Sequence, residues 1–124
     1  MKISLINAGK RFNRDWIFRN IHFEFTAGNS YAITGPNGSG KSTLLQVIGG
    51  AMMMSEGKTK YEIGSLKSDV FMDVRELPVD EAYQHISIAA PYLELIEELT
   101  VTEFLEFHGR FKNLLAGHTI KEII

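Results

Sequence analysis

The strongest constraint on the fold of this chain is the segment at residues 35–43, which reads Gly-Pro-Asn-Gly-Ser-Gly-Lys-Ser-Thr. It matches the pattern G-x-x-x-x-G-K-[ST] of a phosphate-binding loop, or P-loop. Glycines in such a loop let the backbone turn with a positive φ and come close to an anion. Successive backbone N–H groups then form a concave nest, and the helix that follows directs the positive end of its dipole at the phosphate.

The residues on either side favour a P-loop over a flexible glycine turn that carries a solvated lysine. Upstream, residues 30–34 read Ser-Tyr-Ala-Ile-Thr, and their β-branched and aromatic character predicts a buried strand. Downstream, residues 43–48 carry apolar side chains at helical spacing, and Gly49-Gly50 is a typical helix stop. A strand, a glycine loop and a helix in this order are the arrangement that the motif requires.

Every residue of the loop is predicted to contribute to phosphate binding. These residues are Gly35, Pro36, Asn37, Gly38, Ser39, Gly40, Lys41, Ser42 and Thr43. We predict a catalytic role for Lys41, because its ammonium can reach the β- and γ-phosphates of a nucleotide. The hydroxyl of Ser42 is the predicted ligand of Mg²⁺.

The composition excludes several other classes of protein. The chain of 124 residues contains no cysteine, which rules out disulfides, thiolate catalysis and cysteine-based zinc sites. Its net charge of −2 gives no indication of a nucleic-acid partner or an anionic membrane surface. No segment approaches the roughly 18 apolar residues of a membrane span. We therefore expect a soluble protein whose link to a membrane, if it has one, passes through a partner.

The residues before the P-loop predict an antiparallel β-unit. A first strand is expected over Lys2 to Ala8, and a second at residues 16–18 after a polar turn. Residues 21–25 alternate between apolar and polar side chains, which predicts a third, half-buried strand. Short strands joined by short turns are typical of antiparallel pairing.

The residues after the P-loop helix predict fewer elements. A strand is expected at residues 58–63 and a short one at residues 86–89, whereas residues 64–80 have no clear pattern. Thr100 and Glu103 form a capping-box pattern that opens a helix. His108 lies on the mainly apolar face of that helix and is expected to be a half-buried, satisfied side chain rather than a ligand. Residues 119–122 predict a second capping box.

These features resemble the ATP-binding cassette family. The resemblance rests on Pro-Asn-Gly-Ser-Gly in the P-loop, Leu44-Leu45 after it, Lys10-Arg11-Phe12, Ile21 to Phe25, Gly28, and Leu99 to Glu103. It runs from about Lys2 to Lys112. It implies an α/β fold of the P-loop nucleoside triphosphate hydrolase type with an antiparallel β-unit over about residues 1–30. The P-loop core would start near residue 30 and a helical region near residue 102, all within one partial nucleotide-binding domain at residues 1–124.

The resemblance also implies a binding residue for adenine. An aromatic residue about thirty positions before the P-loop lysine stacks on the base in that family, and Phe12 stands at this place. Phenylalanine keeps a stacking face where the family usually has tyrosine. Trp16 is a nearby alternative for the stacking residue. Phe12 would then be a core residue of the first hairpin.

The sequence departs from the family at two points. Where a glutamine should follow the strand at residues 86–89, the sequence reads Ala90-Pro91-Tyr92, and Gln84 lies at the other end of that strand. Tyr92, Glu94 and Glu97 are either substitutes that supply oxygen atoms or solvated loop residues. The family's signature sequence, its Walker B strand and its switch histidine do not occur. The resemblance therefore implies the N-terminal half of a cassette, which binds ATP but does not hydrolyse it efficiently by itself.

The implied function is that of an ATP-binding subunit of a transporter, with ATP and Mg²⁺ as cofactors. Its implied partners are a second cassette and a transmembrane permease subunit, which would hold it at the cytoplasmic face of the membrane; no nucleic acid is expected. A soluble cassette protein that acts on nucleic acid or ribosomes is one alternative. Another P-loop enzyme, a kinase or a GTPase, is a further alternative, although the guanine-binding pattern Asn-Lys-x-Asp does not occur.

Overall fold

A four-stranded antiparallel sheet dominates the N-terminal part of the chain in the computed structural model, which describes residues 1–67, 71–90, 94–112 and 117–123. The strands are β1 (Lys2–Phe12), β2 (Asp15–Thr26), β3 (Glu56–Lys67) and β4 (Phe71–Leu77). Their order in the sheet is β2-β1-β3-β4, so that β1 lies between β2 and β3. The helix α1 (Lys41–Ile48) lies in the connection from β2 to β3, and a 3-10 helix (Val79–Gln84) follows β4.

The hairpin of β1 and β2 confirms the predicted antiparallel unit and extends it. The two strands predicted at residues 16–18 and 21–25 are one strand, because the chain passes from one to the other through Asn20 with a φ of 56°. Asparagine tolerates this left-handed conformation better than most residues. Phe12 pairs with Asp15 across a turn in which Asn13 has a φ of 55°. The first strand is accordingly longer than the prediction and ends next to this turn.

Two apolar clusters lie on this sheet. The first contains the buried residues Leu5, Ala8 and Ile48, and it joins β1 to the last turn of α1. The second contains Tyr61, Leu77 and Ala82, which come from β3, β4 and the 3-10 helix. The sheet therefore packs against α1 at one cluster and against the 3-10 helix at the other.

The strand predicted at residues 30–34 is wrong. Residues 29–36 have no regular structure, and Tyr31 is 44% exposed. The ring of Tyr31 lies edge-on to Phe23 and Phe25, with ring centroids 5.8 and 5.1 Å away. Because those two rings project from β2, the segment crosses the face of the sheet instead of pairing along its edge. It leaves an apolar groove of about 280 Å³, which we call the aromatic groove; its lining includes Ile21, Phe23, Phe25, Tyr31 and Ile33.

Two other predictions after α1 need correction. The short strand predicted at residues 86–89 does not form, since this segment has no regular structure. Strand β3 extends beyond the predicted residues 58–63 at both ends, and β4 occupies part of the segment without a clear pattern. Pro91 and Tyr92 lie outside the described residues.

The described chain divides into two compact units, Met1–Ser87 and Ile88–Ile124. In the second unit α2 (Val101–Gly109) starts with the predicted capping box. The Glu103 carboxylate accepts a hydrogen bond from the Thr100 N–H at 2.9 Å, and the Thr100 hydroxyl accepts one from the Glu103 N–H at 3.3 Å. The Thr100 hydroxyl also donates to the Glu103 carboxylate, at 2.8 Å. The hydrogen bond from the Thr100 N–H and then the one from its hydroxyl lower the pKa of the Glu103 carboxyl. No helix in the described ranges has the length and apolar character needed to cross a bilayer.

The sequence makes two further predictions for the second unit, a capping box at residues 119–122 and a half-buried His108. The helix α3 (Ile120–Ile123) follows Thr119, whose N–H donates to the Glu122 carboxylate at 3.0 Å, which is one of the two reciprocal hydrogen bonds of a capping box. The expectation of a half-buried His108 is wrong, because its side chain is exposed. Its ring stacks on Phe104 with a centroid distance of 6.4 Å. No residue of α2 is buried among the described residues, so the helix offers no apolar pocket for this ring.

Candidate functional site

The backbone of the P-loop is shaped by the start of α1. Gly40 is the N-cap of the helix, with φ 93° and ψ 14°, and its carbonyl accepts the hydrogen bond of the Leu44 N–H at 2.9 Å. A turn before the cap is closed by the Ser39 N–H, which donates to the Pro36 carbonyl at 3.2 Å. The first turn of α1 contains no acidic side chain. The positive end of the helix dipole is therefore available to an anion.

Gly40 must be a glycine for two reasons. Its φ of 93° is in the left-handed region, which side chains with a Cβ rarely adopt. A Cβ at this position would also lie 2.5 Å from Cγ2 of Ile17 on β2. The absence of a side chain thus lets the P-loop approach the hairpin closely.

The side chain of Lys41 lies across the P-loop. Its ammonium donates to the carbonyl oxygens of Gly35 at 2.6 Å and Pro36 at 2.8 Å. These two carbonyls belong to the opposite end of the loop from the lysine. The arrangement places a compact positive charge inside the ring of backbone that the motif forms, where it can meet a phosphate oxygen.

A cavity of about 330 Å³ opens at the P-loop. It is lined by Ile17, Asn37, Gly38, Gly40, Lys41, Ser42 and Thr43. Six of these residues belong to the predicted loop, and Ile17 adds an apolar wall from β2. The chain thus brings most of the predicted phosphate-binding residues to one cavity.

The donor set at this cavity fits a hard cation held by few protein ligands. Ser42 is exposed at the first turn of α1 and offers a hydroxyl oxygen. Within the described ranges, no group of three or more His, Asp or Glu side chains could hold a metal ion. Mg²⁺ keeps several waters and commonly takes one or two protein oxygens together with substrate phosphates. A site with Ser42 as its protein ligand is consistent with that chemistry.

Phe12 and Trp16 have different surroundings. Phe12 is 46% exposed at the tip of β1, and the Lys10 ammonium lies 5.1 Å from its ring centroid. Trp16 is half-buried; the Arg19 guanidinium lies 4.1 Å from its ring, and a Cβ on Gly9 would meet its edge at 2.9 Å. The Trp16 ring lies over Gly9 of β1, whereas the side chain of the next residue, Ile17, contacts Gly40 of the P-loop. Phe12 is the more exposed of the two rings.

Ile17 is the residue of this site that the sequence reasoning missed. It forms part of the cavity wall and contacts Gly40. An apolar residue in a strand, however, gives no indication of a role in a binding site. The strand period gives no usable signal here, because the β1–β2 register is irregular opposite residues 16–18 and interrupts the alternation of side chains. The face that receives the P-loop depends on the packing of α1.

The remaining candidates lie elsewhere in the chain. Gln84 is exposed at the end of the 3-10 helix, and Glu94 and Glu97 are exposed in the second unit. Gln84 lines no part of the P-loop cavity. Tyr92, the other candidate for an oxygen ligand, falls outside the described residues.

A comparison with known families finds a match over most of the chain. The family model described as "ABC transporter" matches residues 18–123. This range includes most of β2, the P-loop, α1 and the described elements that follow.

Curated relatives agree with the family match. A cytochrome c biogenesis ATP-binding export protein of Agrobacterium fabrum is 32% identical over 119 residues, which cover 96% of this chain and 51% of that protein. A phosphonates import ATP-binding protein of Oceanobacillus iheyensis is 33% identical over 109 residues, 85% of this chain and 39% of that protein. A zinc import ATP-binding protein of Agrobacterium fabrum is 40% identical over 62 residues, 50% of this chain and 21% of that protein. The chain spans about half the length, or less, of these relatives.

Proposed function

The chain belongs to the ABC transporter family, and we propose that it supplies the ATP-binding groups of a transporter's ATP-binding subunit. The observation that carries the proposal is the position of the Lys41 ammonium, which lies across a glycine loop at the start of α1. Members of this family bind ATP, and the relatives described above are named as ATP-binding proteins of import and export systems.

In this proposal the triphosphate binds in the P-loop cavity. Its oxygens replace the carbonyls of Gly35 and Pro36 as acceptors for Lys41, because a charge-assisted hydrogen bond to phosphate is stronger than one to a neutral carbonyl. The backbone N–H groups of Gly38, Gly40 and Lys41 complete the phosphate contacts. Lys41 is catalytic in the sense that it neutralises charge on the phosphates during transfer, a reaction that depends mainly on positioning and electrostatics.

Mg²⁺ is held by the Ser42 hydroxyl. When bound, the ion neutralises charge on the phosphate oxygens. Ser42 contributes the protein ligand, and the exposed position of its side chain supports this role.

The adenine base stacks on Phe12. The exposed ring of Phe12 at the tip of β1 supports this role. The contacts of Trp16 with Arg19 and Gly9 argue against Trp16 as the stacking residue. Stacking reads the face of a base rather than its hydrogen-bonding edge, so it provides affinity with little discrimination between adenine and guanine.

Hydrolysis and transport are assigned to the whole protein. We propose that a second cassette and a transmembrane permease subunit complete the working assembly at the cytoplasmic face of the membrane. The chain by itself binds Mg-ATP without efficient turnover, since the signature sequence and the acidic Walker B strand do not occur in it.

A titration of this chain with Mg-ATP and Mg-GTP tests the proposal. ATP affinity is expected to fall strongly in Lys41→Ala and to stay unchanged in Lys58→Ala, a matched removal of an exposed lysine on β3. Tight selectivity for GTP, rapid turnover by the chain alone, or equal effects of the two lysine substitutions would contradict it.

A further inference from the structure

A tyrosine on β3 contacts the end of α1 that lies opposite the P-loop. The side chain of Tyr61 is fully buried, and its hydroxyl donates to the carbonyl oxygen of Ile48 at 2.8 Å. The carbonyl oxygen of Val47 lies farther away, at 3.5 Å. Since a hydroxyl carries a single proton, the short contact with Ile48 is the effective hydrogen bond.

This hydrogen bond completes the C-terminal end of α1. Carbonyls in the last turn of a helix lack partners within the helix. Backbone N–H groups of residues 49–51 donate to the carbonyls of Leu45, Val47 and Gln46. The carbonyl of Ile48, the last residue of the helix, accepts from Tyr61.

The sheet holds Tyr61 firmly in place. It pairs with Ile3 on β1 and with Leu77 on β4, and it packs with Leu77 and Ala82 in the second apolar cluster. Burial raises the pKa of the Tyr61 hydroxyl, which keeps its proton available for donation. The group that holds the helix is therefore itself fixed by two neighbouring strands.

The other contacts of α1 are the packing of Leu44 beside Ile48 on the first cluster and the approach of Gly40 to Ile17. Of its eight residues, Val47 and Ile48 are the buried ones, and both are in the last turn. A helix of this length spans about 12 Å and behaves as a stiff rod, so a tilt at Ile48 moves Lys41 and Ser42 at the other end. We propose that Tyr61 is a positioning residue for nucleotide binding: its hydroxyl sets the orientation of α1 and, through it, the position of the P-loop lysine. This inference rests on the proposed ATP site.

Three variants of the chain separate positioning from stability. Tyr61→Phe removes the hydroxyl, and Tyr83→Phe makes the same change at an exposed tyrosine on the 3-10 helix. Leu77→Ala opens a cavity in the same cluster as Tyr61 without removing the hydrogen bond to Ile48. Mg-ATP affinity is measured for each at a temperature where the variant is fully folded. We expect about fivefold weaker binding for Tyr61→Phe and less than about twofold for the other two, because small misplacements of binding groups reduce their effect.

Amide hydrogen exchange of residues 44–49 without nucleotide provides the second measurement. Faster exchange in Tyr61→Phe than in Tyr83→Phe supports the tether independently of ATP binding. Unchanged exchange, unchanged ATP affinity, or a loss of affinity that Leu77→Ala reproduces would overturn the inference. Failure of the unsubstituted chain to bind Mg-ATP would instead refute the proposed function.

Discussion

Ile17 and Gly40 are in contact across the boundary between the hairpin and the P-loop, and the contact leaves no room for a Cβ on the glycine. The added atom would lie 2.5 Å from Cγ2 of Ile17. Ile17 also lines the cavity that contains Lys41 and Ser42. The hairpin therefore shapes the phosphate-binding loop directly, although the two are separate in sequence.

We expect Gly40→Ala to be more destabilising than Gly38→Ala. Both glycines have a left-handed φ, 93° and 81°, so both substitutions carry a conformational cost of about 1–2 kcal/mol. A Cβ on Gly38 has no neighbour within 4 Å, whereas one on Gly40 collides with Ile17. Urea unfolding of both variants measures the difference.

A double-mutant cycle with Ile17→Ala isolates this collision. Removing the isoleucine side chain should recover part of the loss in Gly40→Ala, while the cost of the positive φ remains. Equal unfolding free energies for Gly38→Ala and Gly40→Ala, or additive effects of Gly40→Ala and Ile17→Ala in the cycle, would show that the contact between Ile17 and Gly40 has no energetic role.

We expect Phe12→Ala to weaken ATP binding by about 1–3 kcal/mol, which is about fivefold to 150-fold, and to leave the binding of inorganic triphosphate unchanged. The reason is that stacking acts on the base alone. Phe12→Tyr, which keeps the aromatic face, should bind ATP as the unsubstituted chain does. Calorimetric titration with both ligands makes the comparison.

Trp16→Ala is the matched control for an aromatic residue in the same hairpin. Its expected effect is on stability, because the Arg19 guanidinium loses a ring 4.1 Å away. A base-dependent loss of affinity in Trp16→Ala, with none in Phe12→Ala, would assign the stacking role to the tryptophan.

Acidification should weaken the start of α2. The pKa of Glu103 is lowered in the folded chain by the N–H and hydroxyl of Thr100. A carboxyl with a lowered pKa stabilises the fold above its unfolded pKa, and this contribution is lost as the pH falls through the folded pKa. We therefore expect amide signals of residues 101–104 to lose protection at acidic pH.

The dependence on pH should disappear in Glu103→Gln, which keeps an amide oxygen but cannot titrate. Glu106→Gln, on the same helix but outside the cap, should retain the pH dependence of amide protection. A pH profile that is the same in both variants would show that the capping box does not cause the transition.

The aromatic groove should bind an apolar dye and promote association of the chain. Phe23 is 47% exposed there, and contiguous apolar surface of this kind is usually covered in a folded protein. Phe23→Glu is expected to lower both dye fluorescence and the apparent mass at high concentration. Val79→Glu, at an exposed position outside the groove, serves as the control. A dye-silent, monomeric chain would contradict the expectation.

Local patterns were sufficient to predict part of the fold. The alternation at residues 21–25 identified β2, and the hydroxyl and carboxylate at Thr100 and Glu103 identified the start of α2, because each depends on neighbours in sequence. The strand predicted at residues 30–34 failed because β structure needs a partner strand. Tyr31 packs instead on the rings of Phe23 and Phe25, a contact that propensity does not encode.

The candidate site shows the same division between local and distant information. The motif at residues 35–43 predicted the loop at the start of α1, since its spacing reflects local backbone geometry. Neither Ile17 nor Tyr61 carries a comparable signal. Their roles arise from the packing of α1 against β2 and β3, and an isoleucine or tyrosine in a strand is ordinary.

The strand order β2-β1-β3-β4 has a consequence for folding kinetics. The β1–β2 hairpin uses contacts that are close in sequence, whereas β3 reaches β1 only after residues 27–55 have folded back across the sheet. Closing that long connection is the slow, entropically costly step. Since the P-loop and α1 lie within it, docking of β3 and assembly of the phosphate-binding loop should occur in one kinetic phase, after the hairpin has formed.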